Sequence, residues 1–152
     1  MYKEYRSCLV MATDAAASKV AAELERLSAA AVYAINQRDF ALNKTPEAKE
    51  VLQHVAPDFS GTSDGILGNV TLAELIEERR QFFLEHPQAY CDLKAMSTTI
   101  DPDGRTASVH LYVDIAGMET VTIPGMAEFR WRWTDGRWLW FHHIGMRGVE
   151  LS

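Results

Sequence analysis

The stretch that most constrains this chain is Met126-Ala-Glu-Phe-Arg-Trp-Arg-Trp-Thr-Asp-Gly-Arg-Trp-Leu-Trp-Phe-His-His-Ile144. It holds all four tryptophans, two phenylalanines, an acid and two adjacent histidines on two arms around Asp135-Gly136. Asp-Gly between β-prone runs predicts a hairpin, because both central positions of a type I′ turn need positive φ. A two-residue turn pairs Trp133 with Trp138, Trp131 with Trp140 and Glu128 with His143. A three-residue loop with a glycine bulge moves each pair by one, so that Glu128 faces His142. The sequence leaves both registers open. In either, Glu128 has a histidine as cross-strand neighbour, at a Cβ separation of roughly 5 Å.

At 152 residues the chain is long enough for one domain with a substantial core, so residues 1–152 are expected to form a single domain, with 1–13 as an N-terminal arm. A net charge of −6 with scattered Lys and Arg argues against a nucleic-acid partner. No apolar run approaches the ~20 residues that span a bilayer, and the first residues do not read as a secretion signal. Cys8 and Cys91 form no metal or redox motif, and the expected state is two reduced thiols in a cytoplasmic protein.

Residues from about Asp14 to Leu42 carry a helical pattern, with Val20, Leu24, Leu27, Ala31, Ala34 and Arg38 along one stripe. Arg38 continues an apolar face where a charge needs pairing or water. It either snorkels out of the core or sits at a pocket mouth. A second, short helix starts at Thr45-Pro46-Glu47, with a capping hydroxyl, a proline in the first turn and an acid at the positive dipole end. Asp58 to Gly65 reads as a short strand entering a turn. Thr71-Leu-Ala-Glu74 is a capping box that opens a third helix, to about His86, with Leu75, Ile76, Arg79, Phe82 and Phe83 inside.

From Tyr90 onward the pattern is sheet. Arg105–Ile115 alternates strictly: Ala107, Val109, Leu111, Val113 and Ile115 point one way, and Ser108, His110, Tyr112 and Asp114 the other. Ala116–Pro124 reads as a loop. Helices first and strands last predict an α+β fold with an antiparallel sheet against the helices.

No glycine-rich phosphate loop, His-Glu-x-x-His, Cys-x-x-Cys or nucleophile elbow is present, so the sequence calls for no metal or cofactor. What remains is a set spread over strands: His110, Tyr112 and Asp114 on one face, Glu128 beside His142 or His143, and Arg38. A carboxylate beside an imidazole supplies an acid and a base near neutral pH, and a tyrosine supplies a hydroxyl for an oxyanion. On pattern alone, however, the even face of Arg105–Ile115 is simply the solvent side of an amphipathic strand.

The chain resembles the nuclear-transport-factor-two-like superfamily, especially its SnoaL-like and ketosteroid-isomerase-like branches. The residues that carry the resemblance are Ala34-Ile-Asn-Gln-Arg-Asp-Phe40, Val55-Ala-Pro-Asp-Phe59, the third helix ending in a proline, and Asp135-Gly-Arg-Trp-Leu-Trp-Phe-His-His143. It spans roughly residues 17–148. It implies a cone-shaped α+β barrel in which three N-terminal helices pack in a strongly curved sheet around one deep pocket, commonly as a homodimer. Within it, Glu128 falls where those isomerases place a hydrogen-bond-donating acid, and Asp64 or Ser63 where they place the base. Their helix-one tyrosine lands nearest Ala31, which makes Tyr112 the substitute. The implied activity is a cofactor-independent isomerase, cyclase or dehydratase acting on a small, largely apolar carbonyl compound. Glu128, His110, Tyr112, Asp64 and His142 are then the candidate catalytic residues, and Arg38, Trp140, Asp114 and Phe59 the candidate substrate contacts. The alternative is a ligand carrier or assembly module of the same fold, recognisable by an apolar or filled cavity. If the more polar face lines the pocket, the apolar face of the bulged register would need covering by a second copy, giving a homodimer through the outer face of the sheet.

Overall fold

The computed structural model describes residues 2–63 and 68–148, and the side chains among them from residue 14 onward except that of residue 63. Helix α1 is Tyr2–Asn36, α2 is Pro46–Gln53 and α3 is Leu72–Glu85. The strands are β1 (Val55–Ser63), β2 (Tyr90–Ile100), β3 (Thr106–Met118), β4 (Val121–Thr134) and β5 (Arg137–Arg147). They form one curved, unclosed sheet in the order β1-β5-β4-β3-β2. All neighbours are antiparallel except β1, which lies parallel to β5 at the edge.

The local chemistry explains where the elements start. Thr45 caps α2 by accepting from the Ala48 amide, with Pro46 in the first turn. Thr71 and Glu74 satisfy each other's exposed amides at the start of α3. Both Asp135 and Gly136 have positive φ, 51° and 84°, as a two-residue hairpin turn requires.

Helix α1 differs from the expected span at both ends. It begins at Tyr2 and stops at Asn36, so Arg38 does not extend its apolar stripe. The Asp39 amide donates to the Ala34 carbonyl and the Arg38 amide to that of Ile35, the paired bonds of a Schellman end with Arg38 in the left-handed position (φ 61°). Asp39, fully buried, then holds the next turn by accepting from the amides of Asn43 and Lys44. The expected loop over residues 116–124 is instead the strand-paired end of the β3–β4 hairpin.

Alternation decides what the sheet presents to the helices. Ala107, Val109, Leu111, Phe129 and Trp131 are buried and pack with Leu24, Leu27, Ala31 and Ala34 of α1. This is the face that the bulged register left open for a second copy. Here α1 covers it, and Ser108, His110, Tyr112 and Asp114 form the outer face.

At Gly117 (φ 82°) the chain passes so close to Gln88 that a Cβ would collide with that residue's backbone carbonyl. Gly136 has the same sign of φ but open space around it. Gly117→Ala is therefore expected to cost clearly more stability than Gly136→Ala, whose left-handed strain alone is roughly 1–2 kcal/mol. Urea unfolding of the two variants against the parent checks the order.

Candidate functional site

A partly open pocket of about 150 Å³ lies between α1, α3 and the inner face of β2–β5. Helix α1 contributes Ala31, Val32 and Ile35, and α3 contributes Leu72, Leu75, Ile76, Arg79, Phe82 and Phe83. The sheet adds Cys91, Leu111, Val113, Ile115, Phe129, Trp140, His143 and Arg147. The wall is thus mainly apolar. Its ionisable groups among the described residues are Arg79, Arg147, Cys91 and His143, with no carboxylate.

His143 reaches the cavity because β5 carries one extra residue. Trp133 pairs with Trp138 and Trp131 with Trp140, as the two-residue turn requires, but Arg130 then pairs with His142. Phe141 is the unpaired residue, and every later pair moves by one. Phe141 lies outside, with the guanidiniums of Arg130 and Arg132 over its ring at 5.9 and 5.2 Å. His143 lies inside, opposite Phe129, with ring centroids 5.2 Å apart.

The His143 ring is 6% exposed, and neither nitrogen has a hydrogen-bond partner. Burial, above all, pushes its pKa down to about 3; the positive charge of Arg79 and the neighbouring His142 act in the same direction. At neutral pH it is an uncharged imidazole with one donor and one acceptor. Both nitrogens are buried without a partner, where an unmade hydrogen bond costs roughly 1–3 kcal/mol.

Trp140 forms the adjacent wall, stacked on Phe129 at 4.3 Å, with Phe59 edge-on behind it at 4.9 Å. At the rim, Glu78 joins α3 to the end of β5: it accepts from Arg79 and, at 3.4 Å, from Arg147. The Arg147 guanidinium also lies over the Phe82 ring at 5.1 Å. Burial pushes the Cys91 thiol up, so it is no nucleophile at neutral pH.

No family model matches the chain, and no curated protein matches it in sequence. Solved structures do match. An NTF2-like protein of unknown function from Pseudomonas putida superposes with a TM-score of 0.65 at 13% identity, over 84% of this chain and 86% of that one. Hexachlorocyclohexane dehydrochlorinase LinA-type3 from Novosphingobium barchaimii gives 0.64 at 13% identity, over 90% of each. An NTF2-like protein with a cystatin-like fold from Novosphingobium aromaticivorans gives 0.63 at 13%, over 90% and 88%. The chain has the NTF2-like fold.

Seen in that fold, most residues singled out from the sequence lie off the pocket wall. Glu128 pairs with Ile144 on β5, not with His142 or His143. Its histidine neighbour is His110 on β3, at 3.9 Å from Nε2 to Oε1, and both belong to the outer face. Arg130 stands 3.8 Å from Glu128 and donates to Ser108 at 2.7 Å and Asp101 at 3.2 Å. Tyr112 and Asp114 share that face, the latter 3.9 Å from Lys94. His142 also points outward, its Nδ1 2.9 Å from the Ser60 hydroxyl. Alternation is the physical reason: the odd residues of β3 take the core, so the even ones cannot.

Arg38 is not among the residues that line the pocket. Its guanidinium donates to the carbonyls of Asn36, Pro87 and Ala89 and lies 4.2 Å over the Phe83 ring, binding the end of α1 to the segment before β2. Trp140 does line the pocket, whereas Phe59 only backs it. Asp64 lies outside the described residues. The residues the sequence reading did not assign are His143 and Arg79. Arg79 carried a usable signal, being a charge on the apolar stripe of α3.

The unfolded chain holds a histidine with an ordinary pKa near 6.5, whereas folded His143 titrates near 3. Between those values the unfolded state binds the extra proton, so this group's contribution is full above about pH 6.5 and is lost as pH falls toward 3. The slope approaches about 1.4 kcal/mol per pH unit inside the window. Chemical unfolding of His143→Phe between pH 7 and pH 4.5 should show a shallower loss of stability than the parent.

Proposed function

We propose that the chain takes a small, largely apolar carbonyl compound into the inner pocket and acts on it as a cofactor-independent isomerase or lyase. The observation that carries this reading is His143, a buried neutral imidazole with both nitrogens unpartnered in a mainly apolar wall. With its pKa so low it is a poor proton carrier near pH 7, but a good fixed donor. Its N–H would polarise a carbonyl oxygen, as neutral imidazoles do in other enolising sites. The nearby charge of Arg79 would favour the negative charge that develops there. The dehydrochlorinase of this fold supports the class of chemistry without supplying the substrate.

Exchange of α-hydrogens is the least demanding reaction of such a site: the α-proton would pass to buffer base or hydroxide and a deuteron return from D₂O, while the His143 N–H holds the enolate oxygen. In D₂O the protein should speed exchange of a ring-sized ketone such as cyclohexanone above the buffer rate, read by NMR. His143→Phe should remove about 10² of that acceleration, the usual order for one oxyanion donor. Glu128→Gln, on the outer face, should leave it unchanged. A second reading, a carrier without turnover, is favoured by the lack of a carboxylate among the described lining residues. Tight ketone binding with no exchange above buffer would select it.

The homodimer expected through the outer face of the sheet is still proposed there, but with the more polar set of residues, where Tyr112, Phe141 and Ile144 lie among the Glu128–His110 and Arg130 pairs. Sedimentation at micromolar concentration should give twice the chain mass, and Tyr112→Asp should shift it toward the monomer.

A further inference from the structure

We infer that the molecule this pocket selects is a carboxylate: a body about the size of one ring lies against Trp140 and His143, and its anionic end meets Arg79 and Arg147. The inference rests on the pocket being a small-molecule site, and it adds the charge of the occupant.

Size comes first. A cavity of about 150 Å³ is of the order that holds a benzene-sized molecule when its walls are apolar. A longer occupant must therefore reach the rim, and the rim is where the guanidiniums stand. Arg79 enters from α3 and Arg147 from the end of β5, and both belong to the lining.

Polarity comes second. Among the described residues no carboxylate lines the cavity, so an anion entering it meets no like charge on the wall itself. The field is felt inside as well. The positive charge of Arg79 disfavours protonation of His143, and the charges of Arg79, Arg38 and Arg147 all favour a thiolate at Cys91. An apolar cavity under a positive potential suits a molecule with a greasy body and one negative end.

Glu78 indicates how the anion is received. It is a single carboxylate that accepts from both guanidiniums at the rim, although Glu78 and Arg79 are adjacent on the helix and do not naturally face each other. The Arg79 guanidinium carries five donors in a planar fork and can take a second carboxylate or exchange the first. Glu78 thus acts as an internal competitor that holds the arginines in place until a ligand carboxylate arrives.

Calorimetric titration of the full chain with 3-phenylpropionate and with its neutral amide tests this. The acid should bind at least about tenfold more tightly than the amide, the low end for a hydrogen bond to a charged group. Arg79→Gln should erase that preference while leaving the amide's affinity in place, and Glu78→Gln should strengthen the acid. Equal affinity of acid and amide for the parent would overturn the carboxylate and leave the pocket reading standing. Absence of binding by either would overturn both. An Arg79→Gln variant that keeps the full preference would also overturn the proposal.

Discussion

One unpaired residue, Phe141, decides what this pocket contains. A strand alternates with period two, so a single inserted residue reverses the face of everything beyond it. Before the insertion, Trp138 and Trp140 face the helices; after it, His143 and Gly145 do. Without it, His142 would take the inner position and His143 would stand outside beside Ser60. The insertion is held from both sides. Outside, two arginines cover the Phe141 ring, and Arg132 is itself anchored by Asp58 of β1. Inside, Trp140 is stacked between Phe129 and Trp131 and cannot turn outward without opening the core.

The parts of this fold legible in the sequence are those written in local chemistry. Thr45-Pro46 and the Thr71–Glu74 box mark helix starts because they satisfy amides within four residues. Asp135-Gly136 marks the turn because of φ at those two positions. The alternation of Ala107 to Ile115 was legible as well, but its direction was not. Whether an apolar face meets helices or a second copy depends on α1, which lies about eighty residues earlier in the chain. His110, Tyr112 and Asp114 lie on the outer face, the side that the plain alternation reading gives them.

Other misreadings have non-local causes of the same kind. Arg38 occupies the left-handed end position of a Schellman motif, where glycine is usual and would have announced the helix end. It is kept there by three carbonyls, two of them about fifty residues away, and by the Phe83 ring. Nothing within one turn of Arg38 carries that information. The parallel pairing of β1 with β5 is likewise a meeting of distant segments. The Phe141 ring at the bulge is covered by Arg130 and Arg132, and Arg132 is anchored by Asp58, a residue outside the hairpin.

The chemistry follows from placing a histidine where water is excluded and a positive charge is near. Burial makes the protonated form costly, and Arg79 makes it costlier, so the imidazole stays neutral through the physiological range. A neutral ring can give one hydrogen bond and take one, and in this wall it does neither with the protein. The same positive potential that keeps the ring neutral lowers the energy of negative charge on anything bound against it. Preorganised stabilisation of this sort is strongest where the medium is least polarisable, since no solvent need reorient as the charge appears. Under the proposed function, one arrangement of residues would serve two ends, recognising a polar atom on an apolar molecule and favouring its conversion to an anion. The carboxylates on the outer face would undo it if they lay inside. Their exclusion by strand alternation is as much a part of the site as the residues that line it.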